Sequence, residues 1–187
     1  MQPKQNERFL EEIDRLGKPR SESAKHAVMR GWQYLNARQP LMAIKRFNQA
    51  WLLDPNNANV YWGLGAAQSV LGEHQDGINL ITRASKLDKN NADIVTDMGR
   101  SYLTWGIGTK DNKLRQELFD KAISKYPAAL KLNPKSEYAY SNWAIALFYK
   151  GKYAEAWRMV KKARELGGKT LDPQFLKDLT AKMSEPK

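Results

Sequence analysis

The apolar residues fall at helical spacing, and the spacing repeats. In the stretch AIKRFNQAWLLDPNN, residues 43–57, Ala43, Phe47 and Ala50 lie three and four apart, with Pro55 and then Asn56 and Asn57 behind them. That places the three on one face of a helix. The proline cannot continue the helix, and the paired asparagines suit a turn and the N-cap of the next one. Ala122, Tyr126, Ala129 and Pro134 show the same gaps, with Tyr for Phe. Ala156, Val160 and Ala163 fit without the proline, and Gly77, Ile81 and Ala84 fit weakly. Ahead of these matches stand Gly31 and Tyr34, then Leu64 and Gly65, then Gly99 and Tyr102. Gly31, Gly65 and Gly99 are 34 residues apart, as are Ala50 and Ala84, and Ala129 and Ala163.

This register resembles the tetratricopeptide repeat, a helix-turn-helix unit of about 34 residues with a W…LG…Y…A…F…A…P pattern. The residue types fit helix pairs in close contact. Gly31, Gly65, Gly99, Ala144, Ala50, Ala84, Ala129 and Ala163 are small where two helices must approach. Tyr34, Phe47, Tyr102 and Tyr126 fill the space beside them. The resemblance implies an all-α fold, a right-handed α-α superhelix of four repeats at 24–57, 58–91, 92–135 and 137–170. A stack of repeats exposes an apolar face at each end and needs polar caps. Residues 1–23 read as an N-terminal capping helix, with Phe9, Leu10, Ile13 and Leu16 on one side. Residues 171–187 read as a C-terminal capping helix and tail. There Asp172 is the N-cap, Pro173 the first helical residue, and Phe175, Leu176, Leu179 and Met183 the apolar stripe.

The third repeat is long. It carries 11 extra residues between Tyr102 and Ala122. GIGTKDN at 106–112 reads as an enlarged turn, followed by a long second helix from 113 to 132 with a bend just before Pro127. The extra residues read either as a tolerated insertion on one face or as a lip that binds a partner.

Composition narrows the function. The 187 residues are 42% hydrophobic and 27% charged, which is ordinary for a globular chain. The longest apolar run, residues 143–148, is far short of the roughly 20 residues a membrane helix needs. There is no cysteine, so no disulfide, thiolate nucleophile or cysteine-ligated metal. The polar N-terminus has no apolar signal region. Net charge is +11, with an excess of 4 in residues 24–91, 3 in 92–135 and 4 in 136–187. So even a spread favours a solvated basic surface over a nucleic-acid stripe. The densest cluster is Lys161, Lys162 and Arg164.

No catalytic set emerges. His26, in a first helix, and His74, in a turn, have no metal-binding partner at helical spacing and read as surface or packing residues. Neither GLG at 63–65 nor GIG at 106–108 completes a phosphate loop, and no serine sits in a nucleophile elbow. The expectation is a non-enzyme with no cofactor, no metal and no catalytic residue.

Tetratricopeptide arrays bind proteins, so the resemblance implies a concave groove lined by first helices. In the first repeat it falls on Lys25, Val28, Trp32, Leu35 and Asn36. In the second it falls on Asn59, Trp62 and Ala66. In the third it falls on Asp93, Thr96, Asp97 and Arg100, with the two aspartates reading a basic residue of the ligand. In the fourth it falls on Tyr138, Ser141, Ile145 and Tyr149. Trp32 and Trp62 lie off the consensus packing positions and read either as interface anchors or as packing against neighbouring helices.

The expected function is a scaffold binding a peptide or helix of a partner protein. The alternative is a basic-surface binder of RNA or another acidic polymer, with nucleic acid the weaker reading. Self-association through the ends or the insertion is a further reading. RFNQAWLLDPNNANVYWGLGAAQ also resembles small bacterial repeat proteins that are often exported or lipid-anchored. That resemblance favours an extracytoplasmic location, with the cytoplasm as alternative.

Overall fold

The computed structural model describes residues 3–186. It is all-α, with ten helices and no strand among the described residues. Two compact units divide at Lys89 and Asn90. The first holds α1 (Pro3–Arg15), α2 (Arg20–Asn36), α3 (Pro40–Leu53), α4 (Ala58–Val70) and α5 (His74–Leu87). The second holds α6 (Ala92–Gly108), α7 (Asn112–Leu132), α8 (Glu137–Tyr149), α9 (Tyr153–Glu165) and α10 (Pro173–Lys182). Successive helices in each unit form α2/α3, α4/α5, α6/α7 and α8/α9 hairpins, each closed by three residues.

Three of those turns share one hydrogen-bond scheme. Gln39 N donates to Tyr34 O at 2.9 Å, Glu73 N to Gln68 O at 3.0 Å and Lys152 N to Leu147 O at 2.8 Å. These bonds tie off the carbonyls that a helix end leaves without donors. The scheme needs a left-handed residue, supplied by Arg38 (φ 58°), Gly72 (φ 88°) and Gly151 (φ 81°).

Three of the four first helices, α4, α6 and α8, start at side-chain caps, whereas α2 follows Pro19 without one. Asn57 accepts from Asn59 N, Asn91 from Asp93 N and Ile94 N, and Ser136 from Ala139 N. Asp172 caps α10 in the same way ahead of Pro173. Each cap satisfies backbone donors at the helix start and contributes about 1 kcal/mol.

Inside the hairpins, an aromatic ring takes the space a missing Cβ leaves. Phe47 of α3 lies between Gly31 of α2 and Gly63 of α4. A Cβ on Gly31 would sit 2.5 Å from that ring, and one on Gly63 closer still. Tyr126 of α7 lies against Gly99 of α6, where a Cβ would sit 2.9 Å from the ring. Gly65 and Gly77 bring the backbones of α4 and α5 together.

The extra residues of the third repeat are not in an enlarged turn. The α6/α7 connection is Thr109–Asp111, as short as its siblings. Instead α6 is four residues longer than α4, and α7 seven residues longer than α5, which accounts for all 11. The added turns bury apolar surface. Leu118 and Phe119 of α7 are buried, and Phe119 packs where a Cβ on Gly106 would come within 2.7 Å. Asp111 then caps α7 by accepting from Lys113 N and Leu114 N at 2.9 and 3.1 Å. Helix α7 continues through Pro127 to Leu132.

Three smaller points differ from the sequence reading. His74 opens α5 rather than sitting in a turn. Helix α2 begins at Arg20, inside the stretch assigned to the N-terminal cap. Phe9, Leu10 and Ile13 of α1 are half-buried, but Leu16 lies past the helix end and is 67% exposed. The α1–α2 link is held by a two-bonded ion pair, Arg20 Nε and Nη2 to Asp14 Oδ1 and Oδ2 at 2.9 and 2.7 Å. The Arg20 guanidinium holds the Asp14 carboxyl below its ordinary value.

Candidate interaction surfaces

In the first unit the expected residues gather around two indoles. Trp32 of α2 meets Trp62 of α4 edge to face, with centroids 5.1 Å apart. Trp32 also meets Phe47 edge-on at 5.6 Å. Both indoles are half-buried: one side of Trp32 rests on the core, and part of each ring remains accessible. Packing therefore accounts for one side of Trp32 and leaves the rest of the ring accessible. Val28 and Leu35 flank it on the cluster of Ala43, Phe47 and Ala67. Lys25, Asn36 and Asn59 are exposed around this apolar ground, whereas Ala66 is buried and presents no surface.

In the second unit the expected residues divide differently. Asp93 and Arg100 are exposed, Tyr138 and Ile145 half-buried, and Tyr149 exposed beside Phe119 and Phe148. Thr96 is buried with its hydroxyl donating to Ala92 O, and Ser141 is buried against the Thr170 hydroxyl at 2.6 Å. These two hold helices and meet no solvent.

Asp97 corrects the reading of paired surface carboxylates. It is only 4% exposed, and its Oδ1 accepts from Tyr138 Oη at 2.5 Å and from Arg100 Nε at 3.1 Å. Its charge is answered inside the chain, so Asp93 alone faces solvent. Burial, then the Asp97 carboxylate, pushes the Tyr138 hydroxyl well above the ordinary tyrosine range. Desolvation of the partly covered Arg100 side chain works most strongly against its charge, but Asp97 and Tyr138 together outweigh it and raise the guanidinium above its usual value. The spacing of Asp97 and Arg100, three apart, was the available signal, since it puts both on one helix face. Tyr138 lies 41 residues away and gave none.

Sequence reasoning also missed a strap in the second unit. Residues beyond α10 return to α9, where Trp157 Nε1 donates to Met183 O at 2.9 Å. Arg164 Nη1 donates to Glu185 Oε1 at 2.6 Å. Both contacts join residues more than 20 apart, outside any local pattern.

Among the described residues, no group of three or more His, Cys, Asp or Glu is placed to hold a metal ion. No helix among them is long and apolar enough to cross a membrane.

Successive helix hairpins closed by three-residue turns, with glycine or alanine where their helices cross, define the tetratricopeptide-repeat class, and the chain has that fold. No family model matches the sequence. The structure is similar to that of TTC0263, a thermophilic TPR protein of Thermus thermophilus, with TM-score 0.77 and 16% identity over 87% of this chain and 84% of that one. It is similar to MamA at 28% identity and TM-score 0.59, covering 76% of this chain and 77% of MamA. It is also similar to the first TPR of Spaghetti (RPAP3) bound to an HSP90 peptide, at 22% identity and TM-score 0.55, covering 67% and 92%. Human protein O-mannosyl-transferase TMTC1 is 30% identical over 121 residues, 64% of this chain. The chain spans only 12% of the length of that protein.

Proposed function

We propose that this chain is a non-catalytic scaffold that binds a peptide or helix of a partner protein on the first helices of its repeats. The observation that carries the reading is the Trp32–Trp62 pair, two adjoining indoles half open to solvent on an apolar floor. Large aromatics seated on a packed core are typical binding anchors, because they bury much area with little loss of side-chain freedom. Polar residues at the edge, Lys25, Asn36 and Asn59, suit a rim that orients a ligand. A TPR of similar fold is known with a peptide bound, which supports the mode of binding.

The anchor role separates from packing by comparing two substitutions. Trp32 touches Phe47, so Trp32→Ala lowers stability and affinity together. For Trp62→Ala we expect affinity for the partner to fall about 30-fold, as for an interface hot spot, with a smaller change in melting temperature. Isothermal titration beside thermal melts reads both. Unchanged affinity in Trp62→Ala would remove these indoles from the binding surface.

A further inference from the structure

Helix α9 carries the basic cluster Lys161, Lys162 and Arg164. It meets the strap. Met183 and Glu185 fasten the non-helical segment 183–186 to Trp157 and Arg164. Arg164 also lies over the Trp157 ring, 5.8 Å from its centroid. Trp157, Arg158, Lys161, Glu185 and Pro186 line an open cleft of about 360 Å³. Lys162 is paired with Glu165 at 2.9 Å. The side chains of Arg158 and Lys161 make no hydrogen bond or close ion pair among the described residues, although Lys161 acts through space on the Glu165 carboxylate. The cleft therefore presents two cations, Arg158 and Lys161, while its one lining carboxylate, Glu185, is bound to Arg164.

We propose that this face of α9 is a second binding site, for an extended acidic segment of a partner protein, and that residues 183–186 occupy it as an internal stand-in. The strap displays the recognition elements: a backbone carbonyl on an indole N–H and, two residues on, a carboxylate on a guanidinium. A segment with a further carboxylate meets Arg158 or Lys161, which the strap leaves unanswered. A protein segment fits better than a nucleic acid. Single-stranded nucleic acid needs open aromatic faces for its bases, and Trp157 is 4% exposed with Arg164 over its ring. The tethered strap competes at the high effective concentration of a short linker, so it tunes the affinity of any outside ligand.

The test uses the full chain and a fluorescein-labelled peptide copying residues 180–186 with Lys182→Glu, read by anisotropy. Removing the internal carboxylate with Glu185→Gln should tighten binding about 3–10-fold, the scale of a lost surface competitor. Adding Arg164→Gln should abolish the gain. The Trp157 indole N–H resonance, assigned with Trp157→Phe, should move as the peptide displaces Met183 O. Equal affinity in wild type and Glu185→Gln, or an unmoved indole resonance, would leave the strap a structural clasp and overturn the proposal. Single-stranded poly(U) and vesicles of phosphatidylcholine with phosphatidylserine run in parallel. If either gains from Glu185→Gln as much as the peptide, the face is a general polyanion surface and the peptide assignment falls. Trp62→Ala should leave peptide binding unchanged, so this site and the indole surface stand or fall separately.

Discussion

Arg38 holds a left-handed backbone at φ 58° in the α2/α3 turn, where the α4/α5 and α8/α9 turns use glycine. A Cβ in that region costs about 1–2 kcal/mol, because it crowds the following carbonyl. Arg38→Gly should therefore raise stability by about 0.5–1 kcal/mol after the extra freedom of glycine in the unfolded chain is set against it. Urea denaturation reads the shift, and a loss of stability would mean the Arg38 side chain makes up for its backbone. Tyr126 carries a cost of another kind. Its hydroxyl is buried with no hydrogen-bond partner among the described residues. Burial, with Tyr138 nearby, pushes it well above the ordinary tyrosine value. The folded chain thus keeps this proton at pH values where the unfolded chain loses it. That contribution is fully present below about pH 10 and is lost as pH rises above it. Tyr126→Phe should be neutral or up to about 1 kcal/mol stabilising at neutral pH. It should also flatten the fall in stability above about pH 10, leaving the part due to Tyr138. An unchanged alkaline slope would show that Tyr126 is not the group responsible.

Helix hairpins were legible because they are local. The gaps between Ala43, Phe47, Ala50 and Pro55 state a face, a ring and a stop, and α3 has that face buried and ends at Leu53. The 34-residue spacing of Gly31, Gly65 and Gly99 marked where helices approach closely, as the rings and backbones packed against them show. Gly63 was not singled out, because nothing in its spacing told that Phe47 would touch two helices. The insertion was misread for a related reason. Gly106, Gly108 and Asp111 look like turn residues in isolation, but packing against Leu118 and Phe119 carries α6 past Gly106. These contacts predict a contrast between glycines. Gly31→Ala places a methyl against Phe47 and should cost about 1–3 kcal/mol as overpacking does. Gly108→Ala meets no atom within 4 Å and should be neutral or slightly stabilising. Paired chemical melts test this, and equal effects would contradict the ring-against-glycine account.

On the scale of the whole chain, a repeat announces its architecture far more clearly than its ligand. The class followed from a register kept over several units. The site was legible only in part, because position within a repeat tells which face of a first helix a residue takes, not what already sits there. Thus Trp32 and Trp62 lie together and partly accessible, Thr96 and Ser141 proved to be interior, and Asp97 was already bound by Arg100 and Tyr138. The strap on Trp157 was invisible for want of any local pattern. The most direct test of the scaffold is to pass native extract over immobilised wild-type chain and a parallel Trp62→Ala column. The account predicts a discrete protein retained by the wild type and lost from a variant that still melts cooperatively. Equal retention on both columns, released together by moderate salt, would contradict it and transfer binding to the basic surface.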